Sequence, residues 1–559
     1  MKLFHGLRFD NLRGDAFGGV TAAIVALPLA LAFGVSSGAG AITGLYGAIL
    51  IGLFAALFGG TPSQISGPTG PMTVVMATVF TAVAAADSSE NSIALAFTIV
   101  MLGGLFQILF GVLRLGKYIT LIPYTVVSGF MSGIGAIIIS IEIGPLLGYP
   151  GAGSAIASLQ QVPNNLVNLD PISTGLGLLT LAIVLFYPRR LNRILPAPLT
   201  ALIVSTLVSV LLFPDSDILR IGEIPTGLPQ LHLPRLELSQ LKLAISYGLT
   251  LATLGAIDSL LTSLVADNIT RTQHDSDREL IGQGIGNLVS GLFGGLPGAG
   301  ATMRTVVNVQ AGGKTPISGV IHALVLLVVL LQAGPLTATI PHAVLAGILL
   351  KVGIDIIDWG FLKRAHKISL RAAGIMYGVM LLTVFVDLIT AVAVGVFVAN
   401  LFTIQRQTEV LSKDVKAIKS PEDDDSLSHE ARELLRKADG RILLFSLSGP
   451  MSFGAAKTIS RRLAIVGSYD ALILDVTGVP LLGVTASLAI ENMVRESVAR
   501  HRRVYIVGAK DEVESRLKRL DVFDRLPAEN RLDNRLEALQ LAFDAVMSDC
   551  PQPPAEVAQ

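Results

Sequence analysis

Charge is scarce in this sequence. Only 15% of its 559 residues are Asp, Glu, Lys or Arg, and 42 basic residues balance 42 acidic ones to a formal net charge of +0. That balance removes the electrostatic argument for binding nucleic acid. Cysteine is nearly absent: Cys550 stands alone, which excludes an intrachain disulfide. With one thiol and with His274, His342 and His366 scattered along the chain, no ligand spacing for a structural metal arises. The opening stretch, MKLFHGLRFDNLRGD, is too polar for a secretory signal peptide. A glycine-rich run, GQGIG at 282–286, lacks the preceding strand and the downstream acid of a dinucleotide site. No enzyme signature and no cofactor motif is left.

What the chain has in excess is apolar surface. It is 51% hydrophobic with a mean hydropathy of +0.64, beyond what a soluble globular protein of this size reaches. The expectation is a polytopic protein in a lipid bilayer. Apolar runs long enough to cross or enter a bilayer begin near Ala16, Ala41, Pro71, Ile93, Ile119, Gly175 and Ala197. After a polar interval at 214–240, further runs begin near Leu241, Ile281, Ala301, Ile317, His342, Ala373 and Ile389. The total is about fourteen segments, about seven on each side of the interval. The runs at Pro71 and Ala301 are short, and those at Ala41 and His342 are broken by glycine.

Basic residues alternate between loops. Lys2, Arg8 and Arg13 fall on one side with Arg114 and Lys117, with Arg189, Arg190 and Arg193, with Arg271 and Arg278, and with Lys314, Lys363, Arg364, Lys367 and Arg371. The opposite loops, such as 87–90 and 150–170, are poor in Lys and Arg. The long interval is the exception, with Arg220 and Arg235, and long loops weigh less. This bias places both termini in the cytoplasm, with the protein in the plasma (inner) membrane.

Two stretches interrupt the apolar pattern at matching places. Residues 298–305 read GAGATMRT, and residues 66–73 read SGPTGPMT; each opens the short third segment of its half. Non-helical backbone at membrane depth is tolerated only where it is buried in protein or lines a watery cavity. Paired interruptions at corresponding positions point to an inverted-repeat transporter with its site at mid-bilayer. Half-helices starting near Thr69 and Ala301 would aim backbone N–H groups and positive dipole ends at an anion. Between them in sequence, LATLGAIDSLLTSLVAD at 251–267 places Asp258 inside an apolar run. Such a carboxylate costs several kcal/mol and is by default functional. Thr262, four residues on, shares its helix face. From the residues alone, Asp258 suits a monovalent cation, a proton, or a structural pairing with Arg304.

SGPTGPMTVV at 66–75, IDSLLTSLVAD at 257–267, HDSDRELIGQGIGNLVSGLFGG at 274–295, GAGATM at 298–303 and KVGIDIIDWGFLKRAHKIS at 351–369 resemble the SulP (sulfate permease) anion-transporter family over nearly the whole chain. The resemblance implies an all-α polytopic membrane domain of seven-plus-seven inverted repeats, divided into core and gate, working as a homodimer by elevator-like motion. It implies an anion site at Thr69, Gly70, Gly300, Ala301, Thr302 and Arg304. It also implies a sodium site at Asp258, Thr262, Gly300 and Thr302. Bicarbonate and sulfate are the anions expected, with Na+ or H+ as the coupling ion and no other cofactor. Two positions depart from the bicarbonate-transporting pattern: Gly67 stands where that pattern has Glu, and Arg304 where it has Gly. Both make the neighbourhood more positive. An Arg near a half-helix N-terminus favours an anion and disfavours a nearby sodium ion.

Beyond about Gln405 the composition changes. SPEDDD at 420–425 is charged, and RILLFSLSGP, ALILDVTGVP and RRVYIVGA read as buried strands alternating with helices. The segment at 474–487, LDVTGVPLLGVTAS, resembles a STAS domain. There the phosphorylated residue is a serine whose position is held here by Val484; neighbouring Thr485 is more simply a helix cap or core residue. The expected division is a cytoplasmic N-terminus at 1–14, a transport domain at 15–405 (repeats about 15–213 and 241–405), and a linker at 406–439. A cytoplasmic α/β STAS domain follows at 440–549, a dimerisation and regulatory module, with a tail at 550–559. The reading of another class is a membrane sensor that signals through the STAS domain without moving solute.

Overall fold

The computed structural model describes residues 8–548, apart from 87–90, 153, 189–190, 192–194, 223–228, 230, 235–236, 333–336, 387, 412–413 and 452. Lys2, Arg189, Arg190, Arg193, Arg235, the loop 87–90 and the tail 550–559 lie outside the described residues. The chain divides into two units, Met1–Ala399 and Asn400–Gln559.

The first unit is built of helices. Its first half runs α1 (Leu12–Ser36), α2 (Ala41–Phe58), α3 (Gly70–Ala86), α4 (Asn91–Val112), α5 (Tyr124–Leu146), α6 (Ala155–Val167), α7 (Pro171–Phe186) and α8 (Ala197–Leu212). Its second half runs α9 (Leu241–Thr270), α10 (Ser276–Leu292), α11 (Thr302–Gln310), α12 (Pro316–Gln332), α13 (His342–Ile356), α14 (Leu370–Phe385) and α15 (Leu388–Leu411), the last leading into the second unit. Each expected apolar run has its helix. The element not foreseen is α6, which at 13 residues with Gln160, Gln161, Asn164 and Asn165 is too short and polar to span. It is bent by 117° against α7, where Asp170 caps the new helix by accepting from Ile172 and Ser173 N–H at 3.3 and 2.9 Å and Pro171 fills the first helical position. Among the described residues, five helices are long and apolar enough to cross a membrane, or six if that bent pair is one span. Several others are apolar helices of 10–17 residues, the shape left when spans are interrupted.

Small residues and buried carboxylates hold the helices together. A Cβ on Gly104 of α4 would lie 2.6 Å from the Gly284 carbonyl of α10, so only bare backbone permits this crossing, as is usual between membrane helices. Asp15, fully buried in α1, accepts from Lys314 and Thr315 N–H at 2.7 and 3.0 Å and from the Thr315 hydroxyl at 2.7 Å. That ties the start of the first repeat to the turn before α12.

The second unit is a five-stranded sheet in the order β3–β4–β5–β6–β7, where β3 is Val415–Ile418, β4 Ile442–Ser448, β5 Ala471–Gly478, β6 Arg503–Val507 and β7 Arg531–Leu532. Strand β3 is antiparallel to β4 and the others pair in parallel. One apolar core holds Ile459, Ile490 and Met493, and another holds Leu435, Leu539 and Ala542, so helices cover both faces as a parallel sheet requires. The segment expected as linker is largely structured. It supplies β3 and the helix His429–Lys437, because Val415, Ile418, Ala431 and Leu435 are apolar at spacings that bury them against the sheet.

Candidate functional site

The two interrupted stretches meet. Ser66–Gly67 (β1) pairs antiparallel with Ala299–Gly300 (β2), Ser66 opposite Gly300 and Gly67 opposite Ala299. The Ala301 N–H bonds the Ile65 carbonyl at 2.8 Å. Glycine is required here by close approach: a Cβ on Gly298 would stand 2.2 Å from the Gly67 carbonyl oxygen. From this ribbon the chain leaves as two half-helices, α3 starting at Gly70 and α11 at Thr302. Ala301, the N-cap of α11, makes no side-chain capping bond, which leaves the first N–H groups of that helix for another partner.

Helix α9 staples the ribbon in place with a polar stripe. Ser259 Oγ accepts from Gly300 N–H at 3.1 Å, and Thr262 Oγ1 donates to the Gly300 carbonyl at 2.9 Å. Thr262 and Thr302 hydroxyls lie 2.7 Å apart. One turn along, Ser263 donates to Gln64 Oε1 at 3.0 Å and sits 2.8 Å from the Thr61 hydroxyl. One helix face thereby holds both repeats.

Asp258, 6% exposed, accepts from the Thr69 hydroxyl at 2.8 Å. Among the described residues it forms no ion pair with Arg304, so the structural pairing weighed from the sequence is not made. Arg304, 2% exposed, instead donates through Nη2 to the Pro68 carbonyl, and its Nη1 has no hydrogen-bond partner. Nη1 lies where a side chain at position 67 would be: a Cβ on Gly67 would meet it at 2.7 Å. The two departures from the bicarbonate-transporting pattern are therefore one feature, the guanidinium filling the volume that Gly67 vacates.

These groups line one cavity of about 390 Å³, with Thr69, Gly70, Asp258, Gly300, Ala301, Thr302 and Arg304 on one side and Met131, Val352, Asp355 and Ile356 among the residues opposite. Thr262, fully buried, stands behind Gly300 and Thr302. The structure brings together the anion- and cation-site residues named from the sequence. The sequence reading missed the support beneath. Glu279, 1% exposed, accepts from Gly60 and Thr61 N–H, each at 2.9 Å, and from Gln64 and Gln283 Nε2 at 2.7 and 2.8 Å. Gln283 also donates to Ser66 at 2.6 Å. Glu279 and Gln283 stand four apart on α10, and a polar pair at that spacing at the head of an apolar run was the available signal.

Residues 12–379 match the Sulfate permease family and residues 434–536 the STAS domain. The chain is 54% identical to the bicarbonate transporter BicA of Picosynechococcus sp., across 97% of this chain and 96% of that protein. It is 30% identical to YvdB of Bacillus subtilis, named as a sulfate transporter, across 96% of this chain and 98% of that protein. Among solved structures, the transmembrane domain of a cyanobacterial bicarbonate transporter BicA superposes with a TM-score of 0.66 at 56% identity, covering 70% of this chain and all of that one.

Proposed function

The chain belongs to the sulfate permease family of anion transporters, and from that premise we propose that its solute is bicarbonate, taken up across the plasma membrane together with Na+. The observation that carries the reading is the cavity in which two half-helix starts and one buried carboxylate converge. The near full-length similarity to a protein named for bicarbonate supports the choice of anion.

The anion sits against the backbone N–H groups that open α3 and α11. Thr69, Gly70, Gly300, Ala301 and Thr302 form the cradle, and Arg304 adds positive charge from behind. Amide dipoles fixed by a hydrogen-bonded ribbon need no rearrangement to receive a small oxyanion. Na+ is a second substrate, held by Asp258, Thr262, Thr302 and the Gly300 carbonyl, an all-oxygen set suited to a hard monovalent ion. Cation and anion then neutralise each other in a region of low dielectric, which makes their binding cooperative.

Transport follows by sliding of the repeat elements that carry the site past α5 and α13, an elevator-like movement, with the chain working as a homodimer partly through the STAS domain. The alternation of basic loops supports cytoplasmic termini. Arg304 favours a second reading, a sulfate permease coupled to protons or uncoupled, since a guanidinium close to Asp258 opposes a sodium ion there. Uptake of labelled bicarbonate and of labelled sulfate into vesicles, each with and without Na+ and a pH gradient, separates the two. Bicarbonate accumulation that rises with Na+ supports the first reading. Sulfate accumulation driven by a pH gradient replaces it, and binding without accumulation of either anion makes the protein a sensor.

A further inference from the structure

A second cavity of about 450 Å³ lies along the same seam as the first. Both are lined by the same four helices at successive positions. On α1, Leu29 and Phe33 face the first cavity while Ser36 and Ser37 face the second. On α5 the residues are Met131 and then Ile141 and Glu142; on α13 they run in the opposite sense, Val352 and then Leu345 and His342. Helix α3 contributes Gly70 to the first and Phe80 and Thr81 to the second. Between them the seam narrows to a void of about 10 Å³, walled mainly by Phe33, Val74, Ile138, Ile141 and Leu349, with Ser36 and Thr73 beside them. The geometry is one path, closed at an apolar constriction, with the anion site on one side.

One polar link crosses the seam where the constriction opens into the second cavity. Ser36 of α1 donates to Glu142 Oε1 of α5 at 2.6 Å, and Glu142 is 3% exposed. Among the described side-chain hydrogen bonds, no other joins the helices bearing the site (α1–α4, α9–α12) to the helices facing them (α5–α8, α13–α15). A hydrogen bond in a nearly dry place is stronger than the same bond in water, and it is made across the surface on which the two groups of helices slide in the transport reading.

We propose that the second cavity is the extracellular vestibule and that Ser36–Glu142 is the latch that keeps it shut while the anion site opens on the first cavity. This rests on the transport reading above. The latch biases the ratio of outward-open to inward-open molecules and leaves the anion cradle itself unchanged. Ser36→Ala removes the donor and Glu142→Ala the acceptor. Glu142→Gln keeps an acceptor oxygen for the Ser36 hydroxyl.

The test uses full-length protein in sealed vesicles prepared in each orientation, with Cys550 replaced by Ser and a single reporter cysteine modified by a membrane-impermeant thiol reagent added outside. Ala77→Cys reports the outer side, because Ala77 lines both the second cavity and the constriction. Val352→Cys reports the first cavity. Ser36→Ala and Glu142→Ala should each raise the outer-to-inner ratio of modification rates about tenfold, equivalent to about 1.4 kcal/mol. The double variant should do no more than either single one, and Glu142→Gln should stay within about twofold of the parent. Unchanged rates in both alanine variants overturn the latch, and so does Glu142→Gln behaving like Glu142→Ala. Uptake is read in the same vesicles: a parent that moves no anion defeats the transport reading, whereas uptake with unmoved rates defeats the latch alone.

Discussion

Replacing Gly67 by Ala tests the site at its tightest point. The added Cβ would stand 2.7 Å from Arg304 Nη1 and 3.2 Å from Ala48 Cα, on a backbone with φ at +156°. The guanidinium is the movable end of a flexible side chain, so it yields first. Ala48 then gives by a few tenths of an ångström. Losing the Nη2 bond to the Pro68 carbonyl costs about 1.5–3 kcal/mol, the usual worth of a hydrogen bond to a charged group. The open space beside Arg304 is the 390 Å³ cavity, so the displaced charge moves toward anion and cation together. Like charges at about 4 Å interact by about 4 kcal/mol at an effective dielectric of 20. About a third of that raises the half-saturating Na+ concentration about tenfold, while the anion's affinity is held or improved. Arg304→Gly empties the same volume, so adding it to Gly67→Ala relieves the clash. Thermal unfolding in detergent and uptake kinetics in vesicles should both show the double variant less perturbed than the sum of the singles, with a coupling above about 1 kcal/mol. Effects that add within about 0.5 kcal/mol refute the exchange of volume between the two positions.

Other perturbations test the neighbouring parts. Asp258→Ala should abolish uptake or free it from its cation, while Asp258→Asn, which still offers Thr69 an acceptor, should fold normally and fail in coupling; full rate with full cation dependence in Asp258→Ala removes this residue from the mechanism. Arg304→Gly alone should steepen the dependence of uptake on Na+, and unchanged sodium kinetics count against the electrostatic argument. Glu279→Ala strands four buried donors at about 1–3 kcal/mol each, comparable with the whole stability of a domain, so it should give no monodisperse protein by size exclusion; a well-behaved variant with normal uptake would show the support to be dispensable. In the second unit, Asp475, with a side chain 1% exposed, pairs with Arg535 Nε at 2.5 Å and accepts from Thr477 N–H at 3.0 Å. Asp475→Ala strands the Thr477 N–H but leaves Arg535, with a side chain 39% exposed, to water, so it should cost about 1–2 kcal/mol, seen as faster proteolysis of the region after Asn400 in the full-length protein.

Much of this was legible before the fold was seen, for reasons that differ from residue to residue. GAGATMRT and SGPTGPMT stood out because small residues inside apolar runs have few uses in lipid. Asp258 stood out because an acid there is costly. Although the spacing of Glu279 and Gln283 marked a polar pair, the role of Glu279 and Gln64 was hidden for the opposite reason. They lie at the ends of apolar runs, where polar residues are ordinary, and only the contact between segments 215 residues apart gives them a role. Helix α6 escaped because a short amphipathic stretch before a proline looks like loop. The relation of Gly67 to Arg304 lay in the sequence as two separate departures, and a volume shared across 237 positions has no signature along a single chain.

On the sliding movement proposed above, the scarcity of charge along the seam has a mechanical reason. A surface that must slide carries few polar links, since every one has to break on each crossing. The seam accordingly presents Phe33, Val74, Ile138, Ile141 and Leu349 at its narrowest part. Dispersion contacts among such groups re-form after small displacements at little cost, whereas a buried hydrogen bond does not. An anion site on a moving element is therefore better built from backbone amides than from ionised side chains. Such amides carry no net charge to be dragged through the constriction. The carboxylate of Asp258 and the guanidinium of Arg304 are the exceptions, and each is kept off the seam by a bond to its own side, Thr69 for one and the Pro68 carbonyl for the other. On this logic any substitution that places a fixed charge on the constriction, such as Ile138→Lys, should stop transport while leaving binding of anion to the inward-open site intact, and a variant of that kind with normal turnover would mean that the solute takes another route.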